Sequence, residues 1–336
     1  MNIFWTVDDH FVPQLAAGIC SVCENNRFAN EIHLWVADFQ ISEDNKRKLT
    51  ALAESYRREI TFVRVGDLRS LIGFEFTVSG WRDVILTRLL IDKLLPQTVH
   101  RVLYLDGDTI VRGDLSELWN MDMEGHVIGA SAEPTVNKNR RASLNLTDQC
   151  YYNSGVLLIN LDAWRENRTG ERILRYYAQK DGKLFAPDQD AINGALAGEI
   201  LTLSPKYNFY NIFWYYPYRT LKKLQSPAEY VSREVFQDAI RNPVIIHYLG
   251  EERPWRKGNT HKYANDYFKY LSKTEWRDAP LETGWKLYFI CFRLFHTVLK
   301  PFPMLRYKII DSLIPAFMKF RAGKLKATPH NSRSSP

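Results

Sequence analysis

Short apolar runs and longer amphipathic stretches take turns along the first third of the chain. Asn2 to Val7 reads as a strand that enters Asp8-Asp9-His10, and a helical segment follows from about Phe11 to Asn25, with Pro13 acceptable in its first turn. Glu31 to Ala37 predicts a second strand. Ser42 then caps a helix with an acidic first turn, Glu43 and Asp44, running to about Arg57. Glu59 to Val65 predicts a third strand. Trp81 to Leu95 reads as an apolar helix ended by Pro96, and it feeds a buried strand from Val102 to Leu105. Strands alternating with helices argue for an α/β architecture, a mainly parallel twisted sheet with helices on both faces. The chain has no internal repeat, no G-x-G-x-x-G and no P-loop.

The strand at Val102 breaks into Asp106-Gly107-Asp108, and a second short apolar run, Thr109 to Val111, follows at once. Two ionised carboxylates side by side at a buried strand end repel unless a cation lies between them. A divalent ion with hard oxygen ligands resolves that conflict, with Gly107 letting the backbone turn tightly. Chance supplies roughly one Asp-x-Asp triplet in a chain of this length, and Asp188-Gln189-Asp190 is a second one. Position favours the first, because nucleotide-binding sheets place ligands at the C-terminal ends of strands. The alternative is an acidic turn that caps the next element.

The second half adds three clusters. Asn153, in Tyr151-Tyr152-Asn153-Ser154-Gly155, precedes an apolar strand from Val156 to Leu161 and is either a turn residue or an amide facing a ligand. Asp188 and Gln189 precede a helix beginning near Ala191; they suit either the helix dipole or sugar hydroxyls. Val244 to His247 is a short apolar strand that ends in His247-Tyr248-Leu249-Gly250-Glu251-Glu252-Arg253-Pro254-Trp255. Its histidine is either structural or the third member of a metal site. Arg88, inside the apolar helix, either pairs with Asp92 one turn on or places a cation near the carboxylates of Asp106 and Asp108 or near a phosphate.

Composition narrows the picture. Of the 45 Lys/Arg and 38 Asp/Glu, ten and two fall in residues 281–336, leaving 35 and 36 in residues 1–280. The body is near neutral at −1 and the tail holds +8, so no nucleic-acid-binding body is indicated. Cys20 and Cys23 form a C-x-x-C spacing without a second pair to close a zinc site, and read as buried thiols. MNIFWTVDDH lacks the basic and apolar regions of a signal peptide, so a reducing cytoplasm is expected.

These pieces in their order resemble one family. TVDDH, LTRL at Leu86–Leu89, LYLDGDTIVRGDLSELW, YYNSGVLLINLDAW, PDQDAIN and HYLGEERPW make the chain similar, from Asn2 to about Trp276, to the retaining glycosyltransferases of family 8. The likeness is to the bacterial group that adds galactose or glucose to lipopolysaccharide or lipooligosaccharide cores. It implies a GT-A type nucleotide-sugar-binding fold over residues 1–280, with a nucleotide half to about 110 and an acceptor half beyond. It also implies Mn²⁺ (or Mg²⁺) on Asp106, Asp108 and His247, and a UDP-galactose or UDP-glucose donor. Asp8, Asp9 and His10 would then hold uridine. Arg88, Asn153, Asp188 and Gln189 would contact the donor sugar, and Gly250 and Arg253 would close over the diphosphate. Where the family's closing loop usually has Lys before Pro-Trp, this chain has Arg253, which keeps the charge and adds bidentate capacity.

The rings of Tyr207 to Tyr218 read as core packing or as a floor for an acceptor sugar. Beyond Gly284, Trp285, Tyr288, Phe289, Phe292 and Phe295 recur at helical spacing among Lys286, Arg293 and Lys300, and Met304 to Arg321 repeats the mixture. Residues 281–326 therefore predict helices that either pack on the body or lie on an anionic membrane surface, with a glycolipid acceptor giving the second a purpose. The peripheral inner face of the plasma membrane is the expected location. Residues 327–336 are polar and predict disorder. A metal-dependent phosphohydrolase and a non-catalytic sugar-nucleotide-binding protein remain as rivals from other classes.

Overall fold

A computed structural model describes residues 1–78 and 83–327. Its strands are β1 (Asn2–Asp8), β2 (His33–Phe39), β3 (Glu59–Arg64), β4 (Arg101–Leu105), β5 (Thr109–Val111), β6 (Ile128–Ala132), β7 (Tyr152–Asn160), β8 (Ile200–Leu203) and β9 (Ile245–His247). Seven form one sheet in the order β3-β2-β1-β4-β7-β6-β8, while β5 and β9 make a separate ribbon. β1 pairs in parallel with β2 and β4, β2 with β3, and β6 with β8; β7 is antiparallel to both neighbours. The expected mainly parallel sheet is present.

Side-chain alternation divides the core between the two faces. Ile3, Trp5 and Val7 of β1, Leu103 and Leu105 of β4, and Val156 and Leu158 of β7 share one cluster. Phe4, Val102, Tyr104, Leu157 and Ile159 share the other. A strand buried on both faces shows a continuous apolar run rather than alternation, which explains VLYL and VLLI. The helix Val12–Asn25 packs on the first face and buries Cys20 and Cys23.

The topology makes the crevice. Chain order reverses beside β1, where β2 lies on one side and β4 on the other, and ligands bind outside the strand ends at such a switch point. Asp8 ends β1, and Asp106 follows β4 directly. Because β7 runs the other way, with Val156 opposite Leu105, its first residues reach the same edge.

Three local expectations change. In place of one α-helix over Trp81–Leu95, the described residues form a 3-10 helix, Asp83–Leu90, and one α turn, Ile91–Leu94; Trp81 lies outside the described residues. Leu86, Leu89, Leu90 and Ile91 are all buried, so an apolar run here does not select a 3.6-residue period. β7 begins at Tyr152, which makes Asn153 a strand residue rather than a turn. The helix expected near Ala191 spans Pro187–Ala195 with Pro187 in its first turn, so Asp188 and Gln189 belong to it rather than precede it.

The tail forms helices Lys286–Val298 and Pro303–Ala327. Phe289, His296 and Arg306 are buried, while Leu287, Ile290, Leu294 and Val298 are exposed. Disorder is expected over residues 327–336; Ala327 instead ends the second tail helix, and residues 328–336 lie outside the described residues. Among the described residues, no helix is long and apolar enough to cross a membrane.

Candidate active site

The ribbon brings the metal candidates together. Thr109 is in register with His247, and the Tyr248 N–H donates to the Asp108 carbonyl at 2.9 Å, so strand pairing sets His247 beside the Asp-Gly-Asp turn. His247 Nε2 lies 3.2 Å from Asp108 Oδ1 and 3.7 Å from Asp106 Oδ2. One ligand atom from each of the three residues falls within 4.8 Å of the others. Neighbouring ligands of a six-coordinate ion with bonds of about 2.1 Å lie about 3 Å apart, so this donor set fits one ion after small closure.

Gly107 serves this turn by its lack of a side chain rather than by a left-handed backbone. A Cβ there would lie 2.8 Å from Val7 Cγ1 and 3.0 Å from Phe11 Cδ1. At Gly155 a Cβ would lie 2.3 Å from His247 Cε1, so β7 accepts the imidazole only where the residue is glycine.

The remaining bonds of each ligand are taken up. Asp106 Oδ1 accepts from Arg88 Nη2 at 2.8 Å and from the Tyr104 hydroxyl at 2.7 Å. Asp108 Oδ2 accepts from Arg253 Nη2 at 3.2 Å. His247 Nδ1 lies 2.9 Å from Asn208 Oδ1. Burial would raise the Asp108 carboxyl, but His247 and Arg253 outweigh it and hold it at about 2. Burial likewise opposes a charged imidazole, and Asp108 overrides that to raise His247 above its usual value.

Behind the carboxylates lies a buried polar layer. Arg88 is 5% exposed, and its Nε lies 3.1 Å from Asp188 Oδ2, so two carboxylates flank one guanidinium. Asp92, the alternative partner, is absent from these bonds. Burial raises the Asp188 carboxyl above its usual range, and Arg88 offsets only part of that rise. The Ser154 hydroxyl donates to Asp188 at 3.2 Å, and the Ser154 N–H donates to Gln189 Oε1 at 3.0 Å. Gln189 Nε2 donates to Glu133 at 3.1 Å and to the Tyr151 hydroxyl at 3.0 Å, while Asn153 Nδ2 donates to Glu133 at 2.9 Å. Arg88, Asp106, Asp108, Asn153, Asp188, Gln189, His247 and Arg253 thus form one connected network.

The nucleotide-end residues are placed differently. Asp8 is half-buried at the β1 end and His10 is exposed. The Asp9 carboxylate accepts from Ser42 N–H at 2.8 Å and Asn45 Nδ2 at 2.7 Å, fastening the β1 turn to the start of the helix Glu43–Ser55. Gly250 turns the chain three residues before Arg253. Sequence reasoning missed Glu133, Ser154 and Asn208. Glu133 directly follows the buried β6, the same signature that flagged Asp106; Asn208 is buried in a ring-rich segment and gives no such signal.

A mainly parallel sheet with paired aspartates at its switch point is a GT-A-like fold. Residues 2–259 match the model of glycosyl transferase family 8, and the chain belongs to that family. General stress protein A of Bacillus subtilis is 27% identical over 282 residues, covering 82% of this chain and 94% of the relative. A lipopolysaccharide 1,2-glucosyltransferase of Escherichia coli K12 is 28% identical over 285 residues, 83% of this chain and 79% of the relative. A lipopolysaccharide 1,3-galactosyltransferase of Salmonella typhimurium is 23% identical over 293 residues, 83% and 80% of the two chains. Among solved structures, the galactosyltransferase LgtC in complex with donor and acceptor sugar analogs superposes with a TM-score of 0.70 at 24% identity, covering 83% of this chain and 99% of that one.

Proposed function

We propose that this chain is a retaining hexosyltransferase that moves galactose or glucose from a UDP-sugar to a lipopolysaccharide core or related glycolipid, with Mn²⁺ on Asp106, Asp108 and His247. The observation that carries the proposal is the convergence of these three donors at the switch point. Two carboxylates with one imidazole suit Mn²⁺, which accepts oxygen and nitrogen ligands, better than an all-oxygen ion such as Mg²⁺. When bound, the ion supplies Lewis-acid neutralisation of the leaving diphosphate. The relatives named for glucosyl and galactosyl transfer support the hexose and acceptor classes together.

The chain's own residues divide the remaining work. Arg253, which donates to Asp108, would take a phosphate oxygen of the donor. Arg88 and Asp188 hold each other rigid, so hydroxyl contacts from Asp188 are made without reorganisation. Gln189 is a poor nucleophile: Ser154 occupies its Oε1 and Glu133 with Tyr151 its Nε2. Retention then follows a same-face path. The anomeric carbon–phosphate oxygen bond breaks as the acceptor oxygen bonds on that face, and the acceptor proton passes to the departing phosphate. Asp8, with Asp9 and His10, would bind the uridine.

The tail serves the acceptor. Leu287, Ile290, Leu294 and Val298 form one exposed aliphatic stripe, bordered by exposed Lys286, Arg293 and Lys300, while Phe289 and His296 face the body. A helix apolar on both sides, basic along one edge, fits the inner, anionic membrane surface on which a glycolipid would be presented. Incubating the chain with a panel of UDP-sugars and truncated lipopolysaccharide cores, with mass detection of products, tests the proposal. A hexose-extended core is expected; free hexose without extended core would make it a hydrolase, and UDP-sugar binding without turnover a binding protein.

A further inference from the structure

The loop carrying Arg253 is held from behind by residues outside the Asp106, Asp108 and His247 cluster. On one side, Arg256 is 8% exposed. Its Nη1 donates to the Glu251 carbonyl at 3.1 Å and to the Glu251 carboxylate, and its Nε donates to Glu282 at 2.8 Å. Its guanidinium stacks 3.7 Å above the Trp285 ring. Backbone bonds repeat the tie: the Glu282 N–H donates to the Trp255 carbonyl and the Lys257 N–H to the Glu282 carbonyl, both at 2.8 Å.

On the other side, Glu252 is 4% exposed and accepts from Asn211 Nδ2 at 2.7 Å and from the Tyr215 hydroxyl. The Tyr215 ring stacks on His296 at 4.0 Å between centroids. Arg253 is therefore bracketed by Glu251 and Glu252 before it and Arg256 after it. Each bracket ends on the segment from Glu282 to His296. A loop that must meet a diphosphate loses less freedom on binding when its base is already fixed.

We propose that the segment Glu282–His296 is a clamp that positions the Gly250–Arg253 loop for a nucleoside diphosphate, through Arg256 on Trp285 and Glu252 on Tyr215 and His296. The inference rests on the donor reading above and goes beyond it, because it makes the C-terminal helix part of donor handling as well as of surface attachment. Trp285 and His296 are positioning residues; neither touches the donor. A tail that merely packs would alter stability without altering nucleotide affinity.

The test uses the full chain and calorimetric titration with UDP in the presence of Mn²⁺, and with Mn²⁺ alone. Trp285→Ala should weaken UDP binding by roughly tenfold, leave Mn²⁺ affinity unchanged, and raise donor KM more than it lowers kcat with a soluble acceptor. Trp285→Phe, which keeps an aromatic face for Arg256, should recover most of the loss. His296→Ala, acting through the second bracket, should show the same pattern and replaces the first variant if that one does not fold. UDP affinity equal to wild type in folded Trp285→Ala or His296→Ala overturns the clamp. Wild-type chain that binds no UDP overturns the donor reading itself, and the clamp falls with it.

Discussion

Asn208 Oδ1 lies 2.9 Å from His247 Nδ1, and this contact decides which ring nitrogen faces the two aspartates. The polarity originates in the backbone. The Gly155 N–H can only donate, so its partner, Asn153 Oδ1, is an acceptor at 2.9 Å. Asn208 Nδ2 donates to that same oxygen at 2.8 Å, which turns Asn208 Oδ1 towards His247. The neutral imidazole therefore keeps its proton on Nδ1 and offers its Nε2 lone pair to the site.

Removing that acceptor should weaken the metal site without touching a ligand. Asn208→Leu is expected to lower Mn²⁺ affinity by about 10- to 100-fold, the usual cost of losing the group that orients a ligating histidine. Titration calorimetry on folded protein checks it. Unchanged affinity would mean that strand pairing alone orients the ring.

Asp188→Asn keeps the size of the side chain but leaves Arg88 with one carboxylate in place of two. Transfer should fall by about 10²-fold, since small misplacement of reacting groups costs that much, and UDP affinity should change little. Steady-state rates and UDP titration on the same preparation separate these effects. A large loss of UDP binding would place Asp188 at the nucleotide instead.

The sheet and the two candidate aspartates were legible because their signals are local, whereas His247 at its strand end read equally well as a structural histidine. A buried strand shows as an apolar run, and paired aspartates at its end are conspicuous wherever they occur. Arg88 was harder: its spacing allowed Asp92, and only the tertiary fold sets its guanidinium between Asp106 and Asp188. Asn208 was not legible, since a buried amide earns its place through partners 39 and 55 residues away. Residues 83–90 wind as a 3-10 helix where an α-helix is expected, because their buried positions, Val84 and Leu86 to Leu90, follow no 3.6-residue period.

The tail's two faces should separate by mutation. Replacing Leu287 and Leu294, 71% and 65% exposed, by Glu puts charge on the outer stripe and leaves Phe289 and His296 in place. The double variant should be released from anionic vesicles in a flotation assay, while transfer to a short soluble acceptor is retained. Raised salt should weaken the wild-type association. Wild-type chain that ignores anionic vesicles at low salt would remove the surface-attachment role.

His261 makes acid stability a readout of the core beneath the closing loop. Burial pushes its pKa down from 6.5 to about 3, and its Nδ1 accepts from the Tyr263 N–H at 3.1 Å. The folded pKa is the lower one, so the unfolded chain binds the proton more readily. No penalty applies above pH 6.5, and below it about 1.4 kcal/mol is lost per pH unit down to the folded value. His261→Asn keeps an acceptor for Tyr263 and loses ring packing. It should be less stable than wild type at neutral pH, with the gap narrowing by that amount per unit on acidification. Urea denaturation across this range checks it; a constant gap would show that His261 is not buried neutral.

The most direct test of the account counts products. With Mn²⁺, a UDP-hexose and a lipopolysaccharide core acceptor, the wild-type chain should release one UDP for each hexose found on the acceptor. Chelation, or Asp108→Ala in a chain that still folds, should abolish both together. UDP release without hexose on the acceptor, or full transfer by Asp108→Ala at saturating Mn²⁺ and donor, would contradict it.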